Sequence, residues 1–108
     1  MSVLMLLLAC ADAENDTALD PLCDQAPVTS YDNFGQGFML QNCQSCHASS
    51  SQNRYDAPPD ITFDDQDQVL LYAERILARA AGEQPTMPPQ GGVEEADRLR
   101  LEQWLLCE

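Results

Sequence analysis

Cys43-Gln44-Ser45-Cys46-His47 is the stretch from which the rest of the chain is read. CxxCH is the attachment signature of a c-type haem. Two thiols three positions apart can each form a thioether with a vinyl group on one edge of the macrocycle. The next residue then brings an imidazole to one face of the iron. His47 is the only histidine in the chain, so no second imidazole competes for that role. Two other chemistries use a CxxC. A thioredoxin-like redox pair expects a βαβ context, and no alternating strand pattern surrounds this one. A zinc site expects four ligands in paired knuckles, whereas Cys10, Cys23 and Cys107 are scattered and no second CxxC exists.

A second signal lies well downstream, in Pro85-Thr86-Met87-Pro88-Pro89. A proline after Met87 disfavours the helical region for that residue and favours an extended backbone. Pro88 and Pro89 fix their own φ angles. A thioether is a weak, neutral ligand, and a stiff loop can hold it over iron without help from the bond itself. Met1 and Met5 fall in the leading apolar run. Met39 sits four residues before Cys43 on a helical pattern, where core packing is its expected role. Met87 is therefore the expected second axial ligand, opposite His47.

The periodicity around these two stretches is helical. A first helix is expected from about Tyr31 to Asn42, with Thr29 or Ser30 as its cap. Phe34, Gly35, Phe38 and Met39 share one face of it. Gly35 inside a helix costs about 1 kcal/mol relative to alanine, so it should permit a close approach. A polar loop, Ala48 to Asp60, ends at Pro58-Pro59. Asp64 or Asp67 then opens a second helix to about Ala81, stopped by Gly82. Its apolar stripe is Val69, Leu70, Ala73, Ile76, Leu77 and Ala80. Arg75 and Arg79 lie on another face, solvated or paired with acids. One of them, or Arg54, is the alternative partner for a haem propionate. A last helix should span about Val93 to Leu106. Leu101, Trp104 and Leu105 lie on one side, and Ala96, Leu99 and Leu106 on another, which predicts a helix sandwiched between neighbours. No stretch reads as a strand.

With CQSCH at 43–47, TMPP at 86–89, Gly35 eight residues before Cys43 and Trp104 in the terminal helix, residues from about Tyr31 to Leu106 resemble the class I cytochrome c family. The resemblance implies an all-α cytochrome c fold, three to four helices wrapped around one covalently bound haem. It implies that Gly35 lets the first and last helices cross closely, with Trp104 packed at the crossing. The family has an aromatic residue four before the first haem cysteine; this chain has Met39 there, beside Phe38. The family's proline carbonyl that accepts the proximal imidazole N–H maps to Pro58 or Pro59. The implied site is Cys43 and Cys46 as thioether anchors and His47 and Met87 as iron ligands. The implied activity is one-electron transfer by a carrier that is not an enzyme. Two alternatives stand beside it. One is a five-coordinate or ligand-displaceable haem acting as a sensor or a peroxidase-like enzyme; the other is a haem subunit of a larger respiratory complex.

Compartment and partners follow from the remaining residues. Residues 1–9 are apolar except for Ser2 and end in Leu7-Leu8-Ala9-Cys10, which resembles the end of a bacterial lipoprotein signal. Cys10 is then the lipidated residue, and the run is too short to span a bilayer. The expected location is the periplasmic side, membrane-anchored through Cys10 or otherwise soluble. Residues 10–28 are acidic and poor in large apolar groups, the composition of a flexible tether, pinned near its end by Cys23 and leaving 29–108 as the haem domain. With Cys43 and Cys46 on haem and Cys10 on lipid, Cys23 and Cys107 remain, an even pair in an oxidising compartment, and a disulfide between them is expected. Of 108 residues, 18 are acidic against 5 arginines, a net charge of −13. Nucleic-acid binding is excluded, because phosphate contacts need cations. An acidic surface instead keeps a monomer soluble or steers it to the basic face of a redox partner.

Overall fold

The structure, a computed structural model, describes residues 20–24 and 28–108. These residues are all-α, with no strand among them. Cys10, the apolar run 1–9 and tether residues 10–19 lie outside the described residues.

The first predicted helix forms over its full expected length, in two registers. Tyr31–Gly35 is a π-helical turn, and α2 follows it as Gln36–Asn42. Ser30 is the cap. Its hydroxyl accepts from the Asn33 N–H at 3.2 Å, and the Asn33 side chain accepts from the Ser30 N–H at 2.8 Å. This reciprocal capping box satisfies two amides that the first turn would leave unpaired. The Ser30 carbonyl accepts from both Phe34 and Gly35, which widens the turn to the π form. Thr29, the other cap candidate, is buried and hydrogen-bonds the Gln103 side chain instead.

At the end of the tether segment, Asp20–Cys23 forms a one-turn helix, α1. Cys23 is disulfide-bonded to Cys107, and the Gln103 amide donates to the Leu22 carbonyl at 3.0 Å, so the pin at Cys23 is joined by a polar side chain from the last helix. The bond closes a loop with a sequence separation of 84. Replacing both cysteines with alanine should lower stability by about 2–5 kcal/mol, through the chain entropy restored to the unfolded state. Urea midpoints of the two proteins measure this, and coincident midpoints would refute it.

Between α2 and the next helix, Cys43 breaks the helical backbone (φ −124°, ψ −35°), and α3 is the single turn Gln44–His47. The predicted second helix is split at Tyr72 into α4, Gln66–Leu71, and α5, Ala73–Ala80. Its cap is Asp65, between the two expected aspartates; the carboxylate accepts from the Gln68 N–H at 2.9 Å. Gly82 has φ +77°, the left-handed geometry that suits a glycine stop.

The last helix, α6, runs Glu95–Cys107. Leu101 and Trp104 are fully buried and Leu105 nearly so, but Ala96 and Leu99 are exposed. The predicted sandwich forms in part: Arg98, Leu101, Trp104 and Leu105 share one buried face, and on the opposite side Gln103 is buried against Leu22 and Thr29 while Ala96 and Leu99 stay exposed. The core gathers Phe38 and Met39 of α2, Val69 of α4, Ile76 of α5, and Leu101, Trp104 and Leu105.

Gly35 does sit at the crossing. A β-carbon there would lie 2.7 Å from the Trp104 indole, inside any tolerable contact. Trp104 is fully buried and cannot swing away. Gly35→Ala should therefore destabilise by about 1–3 kcal/mol through overpacking. The usual helical gain of alanine over glycine, about 0.5–1 kcal/mol, has the opposite sign. A thermal melt distinguishes the two, and a raised midpoint would contradict the close crossing.

Candidate functional site

Cys43, Cys46 and His47 come together on one side of a single helical turn. Cys43 caps α3, its carbonyl accepting from Cys46 at 3.3 Å and from His47 at 3.0 Å. Residues at i, i+3 and i+4 of a turn share a face, so the two thiols and the imidazole point the same way. That face lines a cavity of about 330 Å³, and Met87 lines the same cavity from a loop far along the chain. The volume falls in the range of about 300–1,000 Å³ typical of small-molecule sites. Phe38, Met39, Phe63, Ile76 and Ala80 make its walls mostly apolar.

Among the described residues, the unbridged cysteines are Cys43 and Cys46. Burial pushes the Cys43 thiol up to about 12, with the neighbouring Cys46 adding to the rise. A nucleophilic or redox-active thiolate needs the opposite shift. His47 lies below the ordinary imidazole value: burial lowers it most, the Ile61 backbone raises it by less, and the Arg54 charge adds the smallest, lowering effect. The neutral ring that results is the form that binds metals. Its Nδ1 is buried without a hydrogen-bond partner. Phe63 packs against the ring at 4.9 Å between centroids.

The loop after His47 is held by Arg54. Its guanidinium donates to the carbonyls of Ala48 (2.7 Å), Pro58 (2.8 Å) and Ile61 (2.9 Å). Three backbone acceptors on one fork fix a segment that has no helix of its own. Arg54 is thereby committed to the wall rather than to a propionate. The Pro58 carbonyl accepts from Arg54 at 2.8 Å and from the Ile61 N–H at 3.1 Å, and neither it nor Pro59 hydrogen-bonds the His47 ring among the described residues.

The Met87 loop is fixed by α5 and α6. The Arg79 carbonyl accepts from Thr86 (2.7 Å) and Met87 (2.8 Å), and Arg98 donates to the Met87 carbonyl at 3.0 Å. Met87 is 38 % exposed, more open than the buried Met39. Arg75 and Arg79 are exposed beside the cavity, and their guanidinium groups form no hydrogen bond or ion pair among the described residues. Arg100 lies over the Phe34 ring at 4.4 Å.

These features fit a flat, largely apolar macrocycle with carboxylates on one edge. The walls are apolar, two thiols and a neutral imidazole share one helical face, and a thioether and two unpaired cations lie around the same cavity. No cluster of three or more His, Cys, Asp or Glu side chains among the described residues could hold a metal ion, so a zinc site has no ligand set there. Sequence reasoning missed Phe63 and Arg98. Phe63 was visible as a lone aromatic after the Pro58-Pro59 stop. Arg98 was visible by its spacing, three before Leu101 and seven before Leu105 on the buried face. Cys10 cannot be placed, lying outside the described residues. No family model matches the chain, and comparison with curated proteins and with solved structures gave no match either.

Proposed function

We propose that this chain is a monohaem cytochrome c of the class I kind, which carries one electron at a time on the periplasmic side. The observation that carries the proposal is the meeting of Cys43, Cys46, His47 and Met87 on one apolar cavity. When bound, the haem supplies a one-electron Fe(II)/Fe(III) couple. Cys43 and Cys46 would anchor its edge by thioethers. His47, desolvated and neutral, offers a nitrogen lone pair without a proton to lose first. Met87 offers a neutral sulfur, which disfavours the ferric state relative to a second imidazole and so raises the potential. The apolar walls act in the same direction by excluding water. Arg75 and Arg79 are the free cations suited to the haem carboxylates. With both axial positions filled by the chain, no open position remains for substrate chemistry. Cys10 would carry the lipid anchor, and the acidic surface would meet the basic face of a redox partner.

The test is a set of visible spectra of protein matured in a host that attaches c-type haem, oxidised and reduced, with and without carbon monoxide. A low-spin spectrum with a far-red methionine–iron band, unchanged by carbon monoxide, is expected. A protein that acquires no covalent haem would sink the proposal. The exposure of Met87 favours one second possibility, a haem whose sulfur ligand is displaced by small molecules, which would act as a sensor or peroxidase-like enzyme. Carbon monoxide binding at once to the reduced protein would select it.

A further inference from the structure

Arg98 is 7 % exposed, yet it forms no ion pair among the described residues. A buried guanidinium without a carboxylate is costly to desolvate, and an apolar side chain of similar volume often serves the core as well or better. Packing alone therefore gives no reason for an arginine on this face of α6. Its bonds do. One guanidinium nitrogen donates to the Ala80 carbonyl at 2.7 Å, at the end of α5, and to the Met87 carbonyl at 3.0 Å. From the other side, the Met87 N–H donates to the Arg79 carbonyl at 2.8 Å. The main chain of Met87 is thus held at both its polar groups, the N–H by α5 and the carbonyl by α6.

We infer that Arg98 is the positioning residue for Met87, and that its clamp decides whether the site stays closed. The inference rests on Met87 being the sixth ligand, as proposed above. A thioether binds iron weakly and does not hold its own loop in place. Without the clamp, the sulfur must pay in loop ordering each time it returns, and a competing ligand gains by the same factor. With the clamp, the loop is already ordered, and the partly exposed sulfur remains the preferred ligand.

The experiment titrates imidazole into the oxidised holoprotein of the parent, Arg98→Met and Arg98→Lys, following the far-red methionine–iron band. Arg98→Met removes both carbonyl bonds at similar volume. Its imidazole affinity should rise about ten- to a hundredfold, the factor carried by one charge-assisted hydrogen bond. Arg98→Lys keeps a donor that can reach one carbonyl and should fall between the two, which also secures the test if the methionine variant folds poorly. Gly35→Ala, destabilised at the helix crossing, should bind imidazole as the parent does, which separates positioning from loss of stability. An affinity in both Arg98 variants within twofold of the parent, with the band intact, overturns the role of Arg98 and leaves His–Met ligation standing. A parent without the band overturns the ligation itself and the clamp with it.

Discussion

Haem carried by a Cys43→Ala/Cys46→Ala chain should come away completely in acidified organic solvent, whereas haem on the parent should stay with the polypeptide. In the proposed function two covalent links would join the cofactor at Cys43 and Cys46, the cap and third residue of the α3 turn, and no other unbridged cysteine lies among the described residues to replace them. Each single alanine variant keeps one thioether, so its haem should resist extraction while its reduced absorption bands move with the remaining vinyl group. The grading from two links to one to none is what distinguishes attachment at this turn from adventitious haem. The double variant should also lose helix content on warming well before the parent. Its cavity of about 330 Å³ is walled by core side chains, and a small domain has little other buried surface to draw on. Haem staining after denaturing electrophoresis reads the first effect and circular dichroism the second. Equal staining of double variant and parent would mean that the CxxCH turn is not where haem is held.

The second large effect belongs to Met87. Met87→His should keep its haem, since both thioethers and His47 are untouched, but its reduction potential should drop by a substantial share of the about 0.8 V range over which axial ligands act. An imidazole donates more strongly to the ferric ion than a thioether does, so the oxidised state gains. Met87→Ala has no sixth ligand from the chain, and its reduced form should bind carbon monoxide where the parent does not. The pair separates two properties of the residue: the histidine variant changes the potential with the site closed, and the alanine variant opens it. A potential left unmoved by Met87→His would take Met87 off the iron.

Much of this was legible in the residues because the signals were local. The CxxCH spacing needs only one helical turn to bring its three side chains to one face, and α3 supplies that turn. A close approach at Gly35 was legible because a glycine inside an apolar stripe asks for a near neighbour; that the neighbour is Trp104 came from the family resemblance, and the indole is there. Cysteine arithmetic found the Cys23–Cys107 bond. The failures came where a side chain's partner lies elsewhere in the fold. Arg54 stood only as an alternative partner for a propionate, and its partners in the fold are the carbonyls of Ala48, Pro58 and Ile61. The second apolar side of α6 promised an apolar cover, but Leu99 is half exposed there and the buried residue is Gln103, held by Leu22 and Thr29; on the first face Arg98 is buried because its acceptors sit on other segments. The one-turn helix Asp20–Cys23 at the pinned end of the tether was not legible, because composition reports what a segment can bury alone and not what an amide hydrogen bond can hold against a helix.

The bond between Cys23 and Cys107 also fixes where the domain touches whatever it is joined to. Its two cysteines hold their α-carbons 5.5 Å apart, so a segment arriving at Cys23 and one departing from Cys107 would share a single point of attachment. Chains meeting at one spot are what domain insertion requires. The stretch from Cys23 to Cys107 therefore has the form of a cassette: spliced into a surface loop of another protein, it would leave that loop's ends nearly where they were and bring a complete candidate redox centre with it.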